Sequence, residues 1–531
     1  MLVVAVAVAA MSTAAGGPAP MAGRPVADII DEFRAAGYPF AYSDALVTGE
    51  MVVMAEPDPG EPPDIVRQIL QSHRLTVRYE AGIYLVIPAA PVEAAPPARG
   101  VEKATAETGI ETITVSASRY EIGRDISSSR FRLDRRTIQN MPDVGEDPLR
   151  ITHRLPGAAA SGASAKVHFR GGEETEVGIV LNGLDLFDPY HVRDYQNVFS
   201  AIDSRAIEGV EVFTGGFPVR FGDRMSGFVL MDTMEADTPR HTELGISVYN
   251  TSVLTTGSLS DSRWLFSARR GNLDLVIDPE YGQPRYFDVF GQYAVDLSDT
   301  TTFSVNALYA DDGVTVVLEA DPAEREQMDS DTRNVQLWLE LTNDWSEELS
   351  TSTVLSLVEF DNLREGFLDD PEKMIAAVRD ERDVRQLGIR QDWTWRAAER
   401  HVVQWGVQVQ FAEASYDYAS SAQYFGLPEL YPQLPDRLDR GTLASRDGGS
   451  YGAYFADRWK FADGTILEWG LRWDDQTYTG LASDSQLSPR LSVLHRIGDR
   501  TDLRLSWGRY HQSQGVHELQ VEDDIADYWP A

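Results

Sequence analysis

The chain carries nine histidines and no cysteine. Imidazoles hold a metal when they recur at short fixed spacing, and here they are scattered, with no His-x-Glu-x-x-His or similar run. The lack of cysteine excludes disulfides, thiolate metal sites and cysteine nucleophiles. Asp369-Asp370, Asp474-Asp475 and Asp523-Asp524 are acidic pairs in loop-like stretches, where such pairs are more often solvated faces than acid/base dyads. Gly171-Gly172 and Gly215-Gly216 lack the Gly-Lys-Ser/Thr that completes a phosphate loop. The chain therefore reads as no enzyme, without metal or cofactor. Binding chemistry is better represented. Phe187, Asp188, Tyr190, His191, Arg193, Asp194 and Tyr195 mix aromatics with charges just after an Asn182-Gly183 turn, a composition suited to a ligand-binding loop. The competing reading is that these side chains and Pro189 only pack one element against another.

The elements that would position such a loop follow from composition and pattern. At 531 residues several domains are expected. A formal charge of −36 argues against nucleic acid as a partner, because a phosphate backbone needs Lys and Arg opposite it. It leaves a membrane open, since a β-barrel can carry carboxylates on its lumen and rims while showing lipid only apolar side chains. The long apolar run from Leu2 to Ala10, followed by Met11-Ser12-Thr13-Ala14-Ala15, is shorter than the ~20 residues a membrane helix needs. It fits the end of a secretory signal over residues 1–23, incomplete because the positive leading segment is missing. No later segment suits a membrane helix, so any membrane insertion must use a closed barrel.

Residues 24–88 read as a small α/β module. Val26, Ile29, Ile30 and Phe33 recur at helical spacing, as do Ile65, Val66, Ile69 and Leu70. Short strands are predicted at Phe40-Ala41-Tyr42, Met51-Val52-Val53-Met54, Leu75 to Tyr79 and Ile83 to Ile87, the last two joined over Glu80-Ala81-Gly82. Residues 89–110 are a Pro- and Ala-rich linker. Glu111, Thr112, Ile113, Thr114, Val115, Ser116 and Ala117 then form a short β-prone segment, either free to add to another protein's sheet edge or an edge strand of the next domain. Residues 125–236 form a mixed, Gly-rich globular unit.

From 237 to 531 the texture is strict alternation. Val403, Trp405, Val407, Val409 and Phe411 stand opposite Gln404, Gly406, Gln408 and Gln410. Leu467, Trp469, Leu471 and Trp473 stand opposite Glu468, Gly470, Arg472 and Asp474. About 13 such segments follow one another, many of at least roughly nine residues, the length of a tilted membrane strand. A soluble β-sandwich or propeller would alternate too. Number, length and the lack of a fixed blade repeat favour a barrel with a polar interior.

Within 125–236 the landmarks come in a recognisable order. They are Leu155-Pro156-Gly157, Arg170-Gly171, a strand ending at Asn182-Gly183, Ala206-Ile207-Glu208-Gly209-Val210-Glu211-Val212, Gly215-Gly216 and Phe221-Gly222. This set resembles the plug of TonB-dependent receptors. The module at 24–88 resembles the secretin/TonB N-terminal signalling domain, and Glu111 to Ala117 resembles a TonB box. Leu487-Ser488-Pro489-Arg490 with Trp507-Gly508-Arg509-Tyr510 is similar to the middle of such barrels. The resemblance implies an α+β plug filling a transmembrane antiparallel barrel in the outer membrane, with the small α/β domain in the periplasm. It implies active uptake of a scarce extracellular ligand, siderophore-like or another nutrient. The implied partners are TonB at 111–117, an inner-membrane anti-sigma regulator at 24–88 and outer-membrane lipid. Arg170 would anchor plug to barrel by a salt bridge; Thr214 stands where a second arginine is common, with Arg220 as its substitute.

Barrels of this family have about 22 strands, so the partial count implies a fragment lacking roughly 200 residues of strand. A signalling-only receptor, a non-functional fragment, and a passive porin or adhesin remain the alternatives.

Overall fold

The computed structural model describes residues 21–36, 38–41, 46–47, 51–57, 60, 62–73, 75–80, 83–88, 129–141, 145–236, 238–277, 282–321, 324–425, 435–479, 485–498, 501–522 and 525–527. The linker at 89–110, the segment Glu111 to Ala117 and nearly all of the signal region lie outside the described residues. The chain divides into two compact units, within 1–108 and within 109–531.

The first unit pairs helices Val26–Ala35 and Pro62–Gln71 with a three-stranded sheet. Strand Ile83–Pro88 lies in the middle, parallel to Phe40–Ala41 and antiparallel to Leu75–Glu80. The predicted apolar stripes meet in one core: Val26, Ile29 and Ile30 from one helix, Val66, Ile69 and Leu70 from the other, against Val77 and Val86. Met51 to Met54 is not a strand of this sheet. It makes a single bridge, Val52 to Pro25, flanked by hydrogen bonds to Gly23, Arg24 and Val26. Its partner segment turns into the first helix at Val26, so the ladder has no room to extend.

In the second unit, residues 129–236 build a five-stranded sheet. Its strands are, in spatial order, Arg130–Asp134, Ile207–Phe213, Gly227–Thr233, Val177–Leu181 and Leu184–Asp185. The central pair Gly227–Thr233 and Val177–Leu181 is parallel and the other pairings are antiparallel. Val177–Leu181 is buried along its whole length, which suits its continuous apolar run. Helix Pro148–Thr152 starts on Asp147, whose carboxylate caps the amides of Leu149 and Arg150 and also accepts from the amide and hydroxyl of Ser200.

Around this plug runs a 13-stranded sheet, antiparallel throughout, from His241–Ile246 to Thr501–Gly508. Neighbouring strands are sequential, so every connection is a hairpin. The two faces separate as the alternation predicts. Leu337, Leu357, Leu387 and Phe411 lie on one outer side and are exposed, Leu357 pairing in register with both Leu337 and Leu387. Gln336, Trp338 and Arg472 face inward and are buried. Outer aromatics pair across strands: Trp393 and Trp405 stack 5.8 Å apart with planes 6° from parallel. That row matches the aromatic girdle of a barrel in lipid. No helix among the described residues is long and apolar enough to cross a membrane.

Connections at one end are tight, such as Ser260-Asp261 and Asp463-Gly464, while those at the other run to 425–436 and 477–485. Strands near the long connections reach 26 residues, in Arg437–Ala462.

Charge placed on the outer apolar row tests this assignment. Leu357→Arg should cost about 2–4 kcal/mol in reversible urea unfolding from lipid vesicles. A neutral result would mean the outer face does not meet hydrocarbon.

Candidate functional site

Asn182 and Gly183 close the hairpin between Val177–Leu181 and Leu184–Asp185 with φ of 43° and 81°, the paired positive values a two-residue turn requires. A side chain at Gly183 would meet Val354 of the barrel wall at 3.3 Å. Asn182 itself is locked to that wall: its amide nitrogen donates to Asn306 Oδ1 at 3.1 Å, and its carbonyl accepts from Trp338 Nε1 at 3.1 Å. The turn thus fixes where the following residues, 186–195, meet the lumen.

Phe187, Asp188, Tyr190 and Arg193 line a cavity of about 820 Å³ between plug and barrel. Phe187 exchanges main-chain hydrogen bonds with Gln336 and Asn334, and its ring packs edge-on against Phe360. Arg193 is tied back to Asp188 at 2.7 Å.

The other three residues of the predicted set turn away from the cavity. Asp194 accepts from Ser330 Oγ and lies 3.7 Å from Arg364. Tyr195 packs with Val192, Phe199 and Leu273. His191 is wholly buried, with Nε2 2.8 Å from Asp288 and Nδ1 2.6 Å from Asp312, both on the barrel. Its ring stacks on Tyr286 at 4.5 Å. Asp288 also pairs with Arg269 at 3.0 Å, and Arg269 donates to the carbonyl of Ser200 in the plug. Burial opposes a charge on His191, but the two carboxylates outweigh it and hold its pKa at about 9. The imidazole expected to meet ligand is instead a cationic peg seating the plug. Two adjacent strands each had to place an aspartate against it, which position 191 alone does not reveal.

The opposite side of the plug is held differently. Barrel arginines capture main-chain carbonyls of the segment after Gly215-Gly216. Arg490 Nη1 donates to Phe217, Pro218 and Phe221 at 3.1, 2.6 and 2.8 Å, and Arg472 and Arg390 donate to Arg220 at 3.2 and 3.4 Å. Gly222 is required here, since a Cβ would fall 1.8 Å from Arg472 Nε.

Arg170, expected to form the salt bridge to the barrel, donates to Ser129 Oγ and lies over Gly157 and Gly215 of the plug itself. Among the described residues it has no barrel carboxylate. It occupies a positive-φ turn with Gly171 that keeps its side chain on the plug surface. Thr214 is buried and Arg220 is exposed.

A strap absent from the predicted site completes the cavity. After strand Thr501–Gly508 the chain folds into the lumen. Tyr510 packs tilted against Phe217 and lies under Arg490, Gln512 Nε2 donates to the carbonyl of Thr175 at 3.0 Å, and the Ser513 amide donates to Asp223 at 2.6 Å. Further on, Val516, Leu519 and Val521 pack with Phe360, Val384 and Tyr416. Burial, with Arg193 adding to it, pushes His517 down to about 4, so this ring is neutral. Gly448-Gly449-Ser450-Tyr451-Gly452 has the spacing of a nucleophile elbow, but it lies inside strand Arg437–Ala462 without the strand-to-helix turn that chemistry needs.

This architecture agrees with the family comparisons. The TonB-dependent receptor plug domain matches residues 123–229, and the TonB-dependent receptor-like β-barrel matches residues 248–523, more than half of the chain. The chain belongs to the TonB-dependent receptor family. That places it among receptors rather than enzymes. Solved structures share the fold at low identity. The ferric enterobactin receptor PfeA of Pseudomonas aeruginosa is 17% identical with a TM-score of 0.53, over 74% of this chain and 64% of that one. The siderophore receptor PirA of Acinetobacter baumannii is 16% identical with a TM-score of 0.53, over 75% and 62%. The outer-membrane transporter YddB of Escherichia coli is 10% identical with a TM-score of 0.53, over 73% and 62%. This receptor chain therefore spans just under two thirds of the length of the structures it matches. No curated protein matches it.

The buried peg gives a pH signature. Because the folded pKa of His191 lies above its ordinary 6.5, the stabilisation is complete below pH 6.5 and lost as pH rises through about 9. On the order of 3 kcal/mol should leave the plug transition over that window in calorimetry of the detergent-solubilised receptor. His191→Asn should lower the transition at pH 6 and abolish its slope between 6.5 and 9. An unchanged slope would remove His191 from this role.

Proposed function

We propose that this receptor imports a scarce extracellular small molecule, siderophore-like or another nutrient, across the outer membrane with energy delivered through TonB. One observation carries the reading: a cavity whose floor is plug and whose wall is barrel, so that occupancy touches the part that must move for passage. Barrels of this type have short periplasmic turns and longer extracellular loops. By that rule the cavity, which reaches Tyr418 and Tyr478 beside the long connections, receives ligand from outside. Residues 111–117 are the segment offered to TonB's sheet edge, a mode in which main-chain hydrogen bonds supply the grip. The unit at 24–88 sits in the periplasm and reports occupancy to an inner-membrane anti-sigma regulator. Its separate core supports a role independent of the plug.

Deleting residues 111–117 should abolish uptake of a bound ligand by whole cells while leaving equilibrium binding to the purified receptor unchanged. Uptake that persists would make the receptor a passive channel. Deleting residues 24–88 should abolish ligand-dependent gene induction and spare uptake; loss of both would sink that division of labour.

A further inference from the structure

The outer face of the barrel carries a carboxylate where lipid should meet apolar atoms. Strand His401–Tyr424 turns Val403, Trp405, Val407, Val409 and Phe411 outward. Its neighbour Arg437–Ala462 turns out Trp459, Asp457, Phe455, Ala453 and Tyr451 in register with them. Asp457 thus stands between Val403 on one side and Trp469 on the other. Along these two strands the outward row is charged again only at the paired Glu413 and Asp447, at the far end of the apolar stretch. The tight turns of such barrels are periplasmic, so Asp457 lies close to the periplasmic boundary, near the turn Glu399-Arg400 that precedes His401. Trp395, Phe461 and Trp469 are exposed around it, and Trp459 packs edge-on against Phe461 at 4.9 Å. Aromatics in such a belt sit at the level of lipid head groups.

His401 Nδ1 lies 2.9 Å from the Asp457 carboxylate, and the His401 ring stacks on Trp459 at 5.6 Å with the planes 13° apart. That nitrogen is the one donor to Asp457 among the described residues. An ionised carboxylate has about four acceptor sites. The Asp457 side chain is 14% exposed, at the edge of the hydrocarbon where water is scarce. Further donors must therefore come from the lipid. The negative carboxylate repels an anionic head group, and the faces of neighbouring tryptophans favour a cation. A primary ammonium brings positive charge and three N–H donors, whereas a quaternary one brings charge without donors. Arg400 is exposed on the adjoining turn, and a guanidinium there suits the phosphate that a zwitterionic head group carries beside its ammonium.

We propose that Asp457, with His401, Arg400 and the surrounding tryptophans, is a binding site for a phospholipid of the phosphatidylethanolamine class in the periplasmic leaflet. The ammonium bonds to Asp457, the phosphate is taken by Arg400, and the acyl chains run along the outward row from Val403 to Phe411. The site depends on the outer face meeting lipid and is independent of what the receptor imports.

The test is native mass spectrometry of the full, detergent-solubilised receptor after equal exposure to phosphatidylethanolamine, phosphatidylcholine and phosphatidylglycerol with the same acyl chains. Phosphatidylethanolamine should be retained about tenfold more than either of the others, the effect of one charge-assisted hydrogen bond. Asp457→Asn should bring it down to the level of phosphatidylcholine in receptor that still runs as a folded barrel on unheated gels. His401→Gln keeps the carboxylate and should keep the preference. Equal retention of the three lipids overturns the site, as does a preference that survives Asp457→Asn. Loss of the preference in both variants overturns the assignment of the ammonium to Asp457 and reduces the dyad to an internal ion pair. None of these readouts involves transport, so their failure leaves the import reading untouched.

Discussion

Asp288 and Asp312 stand on adjacent barrel strands, both turned into the lumen and both buried. Taking two carboxylates out of water costs several kcal/mol each unless positive charge meets them. Arg269 answers from the barrel, and His191 answers from the plug, so the set is neutral only when the plug is in place with its imidazole protonated. The remaining geometry depends on that condition. It fixes the stretch around Val192, whose amide is held by Asp312, and hence Phe187 to Arg193 at the cavity floor. It also sets which face of strands Ser262–Gly271, Arg285–Ser298 and Thr301–Asp321 must turn inward.

The plug is thus gripped by two unlike chemistries. On the His191 side, whole charges pair in the dry interior. On the Phe217 to Phe221 side, guanidinium groups bind main-chain oxygens and lie over the Phe217 and Phe221 rings. Side chains still count on the second side, since Phe217 and Phe221 are buried under Arg490 and Arg390, and at Gly222 the closeness of Arg472 crowds out a side chain. The first side tolerates almost no sequence change, since removing one partner strands a buried charge.

Much of this was legible in the residues. Strand periodicity marks about 13 segments, and the described residues form a sheet of 13 strands, because lipid outside and polar lumen inside leave each position only one acceptable character. Asn182-Gly183 announced its turn, since few other pairs accept positive φ twice in succession. The candidate site was legible only in part. Phe187, Asp188, Tyr190 and Arg193 reach the cavity, but His191, between them in sequence, does not, because its surroundings come from residues about a hundred positions away. The arginines at 390, 472 and 490 read as ordinary inward polar positions, since a side chain bonded to main-chain oxygen leaves no mark on its partner's sequence. The strap after Gly508 was illegible for the same reason, its contacts being with Thr175, Asp223 and Phe217.

Strand Arg437–Ala462 has 26 residues, whereas about 9–11 suffice to cross the hydrocarbon. At roughly 3.3 Å per residue and a tilt near 45°, the surplus raises the wall some 30–40 Å above the bilayer on that side. A molecule that lets go of the floor therefore still has that raised wall beside it on one side. Under the proposed import function, such a wall lengthens dwell time by recapture rather than by tighter contact, which favours capture at low outside concentration. Height, here, substitutes for affinity.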